Sequence, residues 1–186
     1  MSSFIAEPLQ ALAVPVDNLI NDPDNARRGN VAAVRRSLNV FGQRKPVVAK
    51  RTGTDADGRP TGLIEAGNTT FAAACELGWT HVAAIFVDED STTARAFALA
   101  DNRTGELATW DDEQLAESLR ELAGQDFDMA SLGWTSDDIE HIIDIGAFEP
   151  DEAGEAARLD ERKPTECPSC GYTWRIGPDG EVQQVE

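Results

Sequence analysis

The sequence predicts an α+β fold, and two observations point to it. Between about residues 13 and 105, short apolar stretches of strand length alternate with stretches whose apolar residues recur at helical spacing; beyond that only the helical pattern continues. Within the same span, three polar motifs stand where a predicted element begins or ends. They are Gly42-Gln43-Arg44-Lys45-Pro46-Val47-Val48, Glu65-Ala66-Gly67-Asn68-Thr69-Thr70-Phe71-Ala72-Ala73 and Ala98-Leu99-Ala100-Asp101-Asn102-Arg103. Element ends leave backbone N–H groups free, so such turns are suited to holding an anion.

Residues 1–12 read as a loosely held lead-in, and a strand is expected around Ala13–Leu19. Asn21-Asp22-Pro23-Asp24-Asn25 is turn chemistry, because proline presets φ and Asx side chains bond their own backbone. Asn30 caps a helix running to about Phe41, with Val31, Val34, Leu38 and Phe41 on one stripe and Gly42 ending it. Pro46–Arg51 and Gly62–Ala66 read as strands joined by a Gly/Asp/Thr-rich loop over 52–61. Gly67 and Asn68 turn the chain into a helix carrying Phe71, Ala74 and Leu77, which Gly78-Trp79 closes. His81–Val87 is a further strand. Ser91 or Thr92 caps a helix to about Arg103, with Ala94, Phe97, Leu99 and Ala100 expected to face inward. Two acid-led helices follow, from Asp111 to Leu122 and from Ser136 to Ile145, with Phe127, Leu132 and Trp134 packing between them. Residues 147–166 are acidic and lack a periodic apolar face, so they read as a linker. The expected organisation is a lead-in (1–12), a mixed α/β domain (13–105), a helical subdomain (106–146), the linker (147–166) and a tail (167–186).

With 186 residues, 41% of them hydrophobic, the chain can bury a core. No apolar run is long enough to span a bilayer. The first residues lack a basic segment followed by an apolar one, so no signal peptide is expected. Three cysteines make no disulfide framework, and a cytoplasmic location is expected. A net charge of −18 should repel nucleic acid from the chain as a whole. The charge is uneven, however. Arg27, Arg28, Arg35, Arg36, Arg44, Lys45, Lys50 and Arg51 are half of all the basic residues, and no acid interrupts them. A local anion site within an acidic body suits a nucleotide phosphate better than a long duplex.

From about Val14 to Arg103 the chain resembles the ParB/sulfiredoxin-like domain, often labelled ParB-like nuclease. Ala98 to Leu115 is also similar to the segment that follows this domain in stand-alone phage versions and in versions fused to DNA methylases. The resemblance implies a small mixed sheet with packed helices, and a nucleotide pocket lined by the three motifs. On that basis Gln43 meets a base or ribose and Arg44 or Lys45 meets phosphate, while Gly67, Asn68, Thr69 and Thr70 form a phosphate cradle at a helix N-terminus. Asp101-Asn102 corresponds to an acidic-Asn pair that lies near phosphates and metal in CTP-binding members, so Asp101 is the candidate Mg²⁺ ligand. Arg103 is a further phosphate contact. Two departures matter. Sulfiredoxins carry a catalytic cysteine after the glycine and many ParB-like proteins carry arginines there, whereas this chain has Asn68-Thr69-Thr70. The family's Gln-Arg beyond the third motif is Thr104-Gly105.

Three function classes follow. The first is a nucleotide- or DNA-associated binding module of phage or plasmid DNA metabolism, with Mg²⁺ and CTP or ATP. The second is an enzyme of the same fold, a nuclease or nucleoside triphosphatase, with Asp101 and Glu65 as catalytic acids. The third is a scaffold whose pocket has degenerated. Chromosome-segregation ParB proteins carry a helix-turn-helix module after this domain, and the acidic helices here lack a basic recognition helix. All readings of the pocket require the three motifs to converge on one cavity.

In the tail, Cys167-Pro168-Ser169-Cys170-Gly171 has the spacing of a zinc-knuckle half site. Tetrahedral zinc needs four ligands. Cys75 is expected to be an inert thiol buried in its helix, and neither His81 nor His141 is an expected ligand. Two chains sharing one Zn²⁺ through Cys167 and Cys170 would complete it, making a homodimer through the tail.

Overall fold

The computed structural model describes residues 4–145, 165–167, 170–176 and 181–184. The chain divides into two compact units, Met1–Gly146 and Ala147–Glu186.

The first unit is built on a five-stranded sheet. Its strands are β1 (Ala13–Pro15), β2 (Leu19–Asn21), β3 (Val47–Thr54), β4 (Pro60–Ala66) and β5 (His81–Val87), in the order β1-β5-β3-β4-β2. β3 lies at the centre, antiparallel to β4 and parallel to β5; β1 joins β5 antiparallel and β2 joins β4 parallel. The single strand expected over Ala13–Leu19 is therefore two strands on opposite edges. Pro15 ends the first, a 3₁₀ turn over Val16–Asn18 redirects the chain, and buried Asn18 anchors the turn by donating to Asp55 Oδ2 at 2.9 Å and the Pro60 carbonyl at 3.2 Å. Three residues reach roughly 10 Å at most, whereas five strands laid flat span about 19 Å from edge to edge. The sheet must therefore curl for both edges to receive consecutive strands.

Five helices accompany the sheet: α1 (Val31–Phe41), α2 (Asn68–Glu76), α3 (Ser91–Glu106), α4 (Asp112–Ala123) and α5 (Ser136–Ile145). Leu38, Phe71, Ala73 and Ala74 from α1 and α2 bury against Val47, Ala49, Ile64, Val82 and Ala84 of the sheet, with Trp79 closing the layer. Asn30 caps α1 by accepting from the Ala33 N–H at 3.0 Å. The lead-in is held rather than loose. Ile5 is buried, Phe4 stacks on Trp79 at 5.3 Å, and the backbone of Gln43 exchanges hydrogen bonds with Phe4 (2.7 Å) and Ala6 (3.0 Å).

α3 extends to Glu106 and buries only Ala94; Phe97 and Leu99 are largely exposed, contrary to the expectation that both face inward. Among the described residues the helix packs chiefly on β4, and Leu99 faces the open cleft rather than a covering layer. α4 and α5 pack together through Ala116, Leu119 and Ile139, and Phe127 stacks on Phe41 of α1 at 5.8 Å, so the helical subdomain belongs to the first compact unit. Cys75 is exposed on α2 rather than buried, and partial burial of its sulfur together with nearby Asp17 pushes the thiol pKa up. No helix among the described residues is long and apolar enough to cross a membrane.

In the second unit, β6 (Thr165–Glu166), β7 (Thr173–Ile176) and β8 (Val182–Gln184) form an antiparallel sheet in that order. Nearly all of the expected acidic linker lies outside the described residues.

Candidate functional site: a cleft between the sheet and the third helix

Two adjoining hollows form one cleft on the first unit. The larger, about 650 Å³, runs between α3 and the sheet at Lys50 of β3 and Leu63, Ile64 and Glu65 of β4; the smaller, about 370 Å³, lies at the N-terminus of α2. Asn25, Glu65 and Asn102 line both, so these residues mark the shared wall. The combined size suits a nucleotide-scale ligand.

Helical geometry decides which α3 residues reach it. Ser91, Ala94, Arg95, Ala98, Leu99 and Asn102 line the cleft, the i, i+3, i+4, i+7 spacing of one helix face. Asp101, one residue earlier, is about 100° round the helix from Asn102; it is exposed and lines neither hollow. Arg103 is likewise exposed and pairs with Glu106 at 3.3 Å. Asn102 is held in place twice: its amide donates to the Ala98 carbonyl (2.8 Å), and its oxygens accept from Arg27 Nη1 (3.2 and 3.3 Å).

The second motif also reaches the cleft. Gly67 caps α2 in the left-handed region, φ +93°, and a Cβ there would stand 2.8 Å from Val47 Cγ1, so only glycine allows the turn to press on β3. Thr69 and Thr70 follow on the wall of the smaller hollow, with the Thr69 side chain packed on Gly29. Asn68 lines it too, but its amide is committed: Oδ1 accepts from the Asp22 N–H at 2.9 Å and Nδ2 donates to the Ile64 carbonyl at 3.3 Å. No side chain caps α2, whereas Asn30, Asp90 and Asp111 cap α1, α3 and α4. The first-turn N–H groups of α2 thus meet the cleft with the positive end of the helix dipole behind them.

The first motif does not reach it, so of the three motifs expected to converge only the second and third do, and a ligand reading rests on those two. Gln43 is 1% exposed, and its amide is spent on the sheet: Oε1 accepts from the Ala83 N–H at 2.7 Å, while Nε2 donates to the carbonyls of Ala83 (2.9 Å) and Lys45 (3.0 Å). Arg44 folds over the Phe41 ring, 5.2 Å from its centroid, and donates to the Phe41 carbonyl. Lys45 is exposed and outside the cleft wall. The basic stretch is dispersed in the same way. Arg35 pairs with Glu76 and Arg51 with Asp88, and only Arg27 and Lys50 line the cleft.

Glu65 is the most unusual group in the wall. Along β4, Ile64 faces the main core and Glu65 the opposite side, beneath α3. Glu65 is 6% exposed, and its carboxyl oxygens meet no N–H or hydroxyl donor but face the carboxyl of Glu89. Burial, reinforced by the neighbouring carboxyl of Glu89, pushes its pKa up to about 7, while Lys50 pulls the other way. One oxygen of Glu89 is buried and unpartnered as well. Lys50 stands close by and donates to Ser91 Oγ at 2.7 Å. Asn25, Arg27, Lys50, Glu89 and Arg95 were not singled out as site residues by the sequence. Arg27 and Lys50 stand out in the sequence only as members of the basic stretch, and Glu89 not at all.

In the tail, the Gly171 N–H donates to the Cys167 carbonyl at 2.9 Å, and Gly171 lies at φ +70°. Tyr172 and Trp174 stack beside it at 6.0 Å. Among the described residues no three His, Cys, Asp or Glu side chains cluster as a metal site.

No family profile and no curated protein matches the chain by sequence. Solved structures do match it. The chromosome-partitioning protein ParB from Caulobacter crescentus, C-terminally truncated and complexed with CTP-gamma-S, superposes with a TM-score of 0.60 at 18% identity, covering 74% of this chain and 79% of that one. Sulfiredoxin from Arabidopsis thaliana aligns at 17% identity and a TM-score of 0.34, over 46% of this chain and 92% of that one. With its curled mixed sheet, flanking helices and this match, the chain has the ParB/sulfiredoxin-like fold.

Proposed function

We propose that the chain is a ParB-like nucleotide-binding module of phage or plasmid DNA metabolism, with its ligand's phosphates at the N-terminus of α2. The observation that carries this reading is the uncapped helix end opening into a cleft whose other walls supply Arg27, Lys50 and Asn102. Free N–H groups and a guanidinium are the donors that phosphate oxygens require. The CTP-gamma-S in the Caulobacter crescentus protein supports a nucleotide as the occupant. A long duplex suits the surface less well, because α4 and α5 present Asp112, Glu113, Glu117, Asp137 and Asp138.

Calorimetry with CTP, ATP and GTP, each with and without Mg²⁺, tests the reading. One nucleotide is expected to bind, and Arg27→Ala should weaken it roughly tenfold or more, the worth of about one charge-assisted hydrogen bond. Silence toward all three overturns the proposal and favours a scaffold. Phosphate release and plasmid relaxation in the same samples test hydrolysis, for which Glu65, inside the cleft, is a better placed acid than Asp101.

For the tail, the reading is a Zn²⁺ shared by Cys167 and Cys170 of two chains. Protein purified without added zinc is expected to contain about half an equivalent per chain, with a dimer lost on Cys170→Ser. Metal-free monomers would refute it.

A further inference from the structure

Glu65 and Glu89 bring two carboxyl groups together from different elements, the end of β4 and the loop before α3. Three of their four oxygens are buried without a hydrogen-bond donor. Glu65 lines both hollows of the cleft, so its buried, unpaired oxygens lie just behind the cleft wall. Buried carboxylates are expensive unless paired or bound to a cation. The charges facing them do not cancel the pair. Lys50 from β3 supplies one ammonium, already bound to Ser91 Oγ, and Arg95 of α3 is drawn 3.6 Å from Asp24. Arg27, on the wall of the smaller hollow, donates to the oxygens of Asn102.

We propose that Glu65 and Glu89 form a divalent-cation site in the cleft, selective for a hard, oxygen-seeking ion such as Mg²⁺ or Mn²⁺. Two carboxylates with water or phosphate filling the remaining positions is the arrangement Mg²⁺ commonly accepts. It explains why an acid on the floor of the cleft lacks the donors that Asp55, Asp90 and Asp138 all possess. It also moves the metal-binding role from exposed Asp101 to Glu65, which lines the cleft, and to Glu89 beside it. The inference rests on this cleft being the ligand site, but the cation is read without nucleotide, so the two proposals can fail separately.

The test titrates the full chain with Mn²⁺, following free Mn²⁺ by electron paramagnetic resonance, in wild type, Glu65→Gln, Glu89→Gln and Asp101→Asn. Both glutamine variants keep side-chain shape and remove only the charge, and circular dichroism verifies that each is folded. The wild type is expected to bind one Mn²⁺ in excess of the weak binding by its acidic surface. Each glutamine variant should lose at least about tenfold in affinity, the loss that even an outer-shell partner typically causes, and Asp101→Asn should lose none. A wild-type curve with no such ion, an unchanged affinity in either folded glutamine variant, or a loss confined to Asp101→Asn overturns the proposal.

Discussion

Gln43→Ala is expected to lower the unfolding free energy by roughly 4 kcal/mol, an order-of-magnitude figure from two sources. The substitution strands the Ala83 N–H and C=O in the sheet, at about 1–3 kcal/mol for each unsatisfied buried group, and leaves a hole that costs more. The residue is 1% exposed and its three side-chain hydrogen bonds are 2.7–3.0 Å long. Its backbone also ties in the lead-in at Phe4 and Ala6, so one position joins the start of the chain, the approach to β3 and strand β5. Urea denaturation reads the effect as a lower midpoint with an unchanged slope. Nucleotide affinity of the folded protein should not move, because Gln43 lies outside the cleft wall. A variant with wild-type stability and weakened nucleotide binding would return Gln43 to the ligand and contradict the geometry. Gln43→Glu sharpens the test: it keeps an acceptor for the Ala83 N–H but turns acceptor against acceptor at the Ala83 and Lys45 carbonyls.

The contrast between Gln43 and Thr69 shows what the sequence can and cannot carry. Gly67 followed by hydroxyl residues specifies a left-handed turn into a helix, and a helix N-terminus must open somewhere, so the second motif was legible from local chemistry. The third motif needed the register of α3. Asp101 and Asn102 are neighbours in the chain but about 100° apart around the helix, and only the way α3 docks, with Asn102 tied to Arg27, decides which of them enters the cleft. For Gln43 no local rule separates a ligand-facing amide from one buried against another strand, because its partner Ala83 is distant in sequence. Pro15 carried a readable signal, since a proline ends pairing, yet that the next three residues would cross from one edge of the sheet to the other depends on the curl. The pairing of Glu65 with Glu89 was invisible for the same reason: it exists only once β4 and the loop after β5 are side by side.

The stability of the metal-free protein should fall as pH rises from about 4.5 to about 7, and Glu65→Gln should remove that fall. Folded, the Glu65 carboxyl holds its proton up to about 7, because it is buried and faces Glu89; unfolded, it releases it near 4.5. Between those values the folded state binds more protons than the unfolded one, so unfolding becomes easier with rising pH. The contribution is complete below about 4.5 and lost through about 7. Asp55, Asp90 and Asp138 act oppositely. Hydrogen bonds, chiefly from Asn18, Thr93 and Thr135, lower their pKa values, so they stabilise above the usual carboxylate range and fail as acid is added. The wild type should therefore be most stable in mildly acid solution, between the two declines. At pH 8 the glutamine variant is expected to gain on the order of 2 kcal/mol, less than the shift alone converts to, because water in the cleft screens part of the penalty. That corresponds to a melting temperature higher by about 5 °C, whereas near pH 4.5 the two proteins should melt together. Thermal melts in a chelating buffer across this range measure both curves. Parallel curves for wild type and variant would mean that Glu65 ionises at an ordinary pH, and that the unpaired acid of the cleft is open to water.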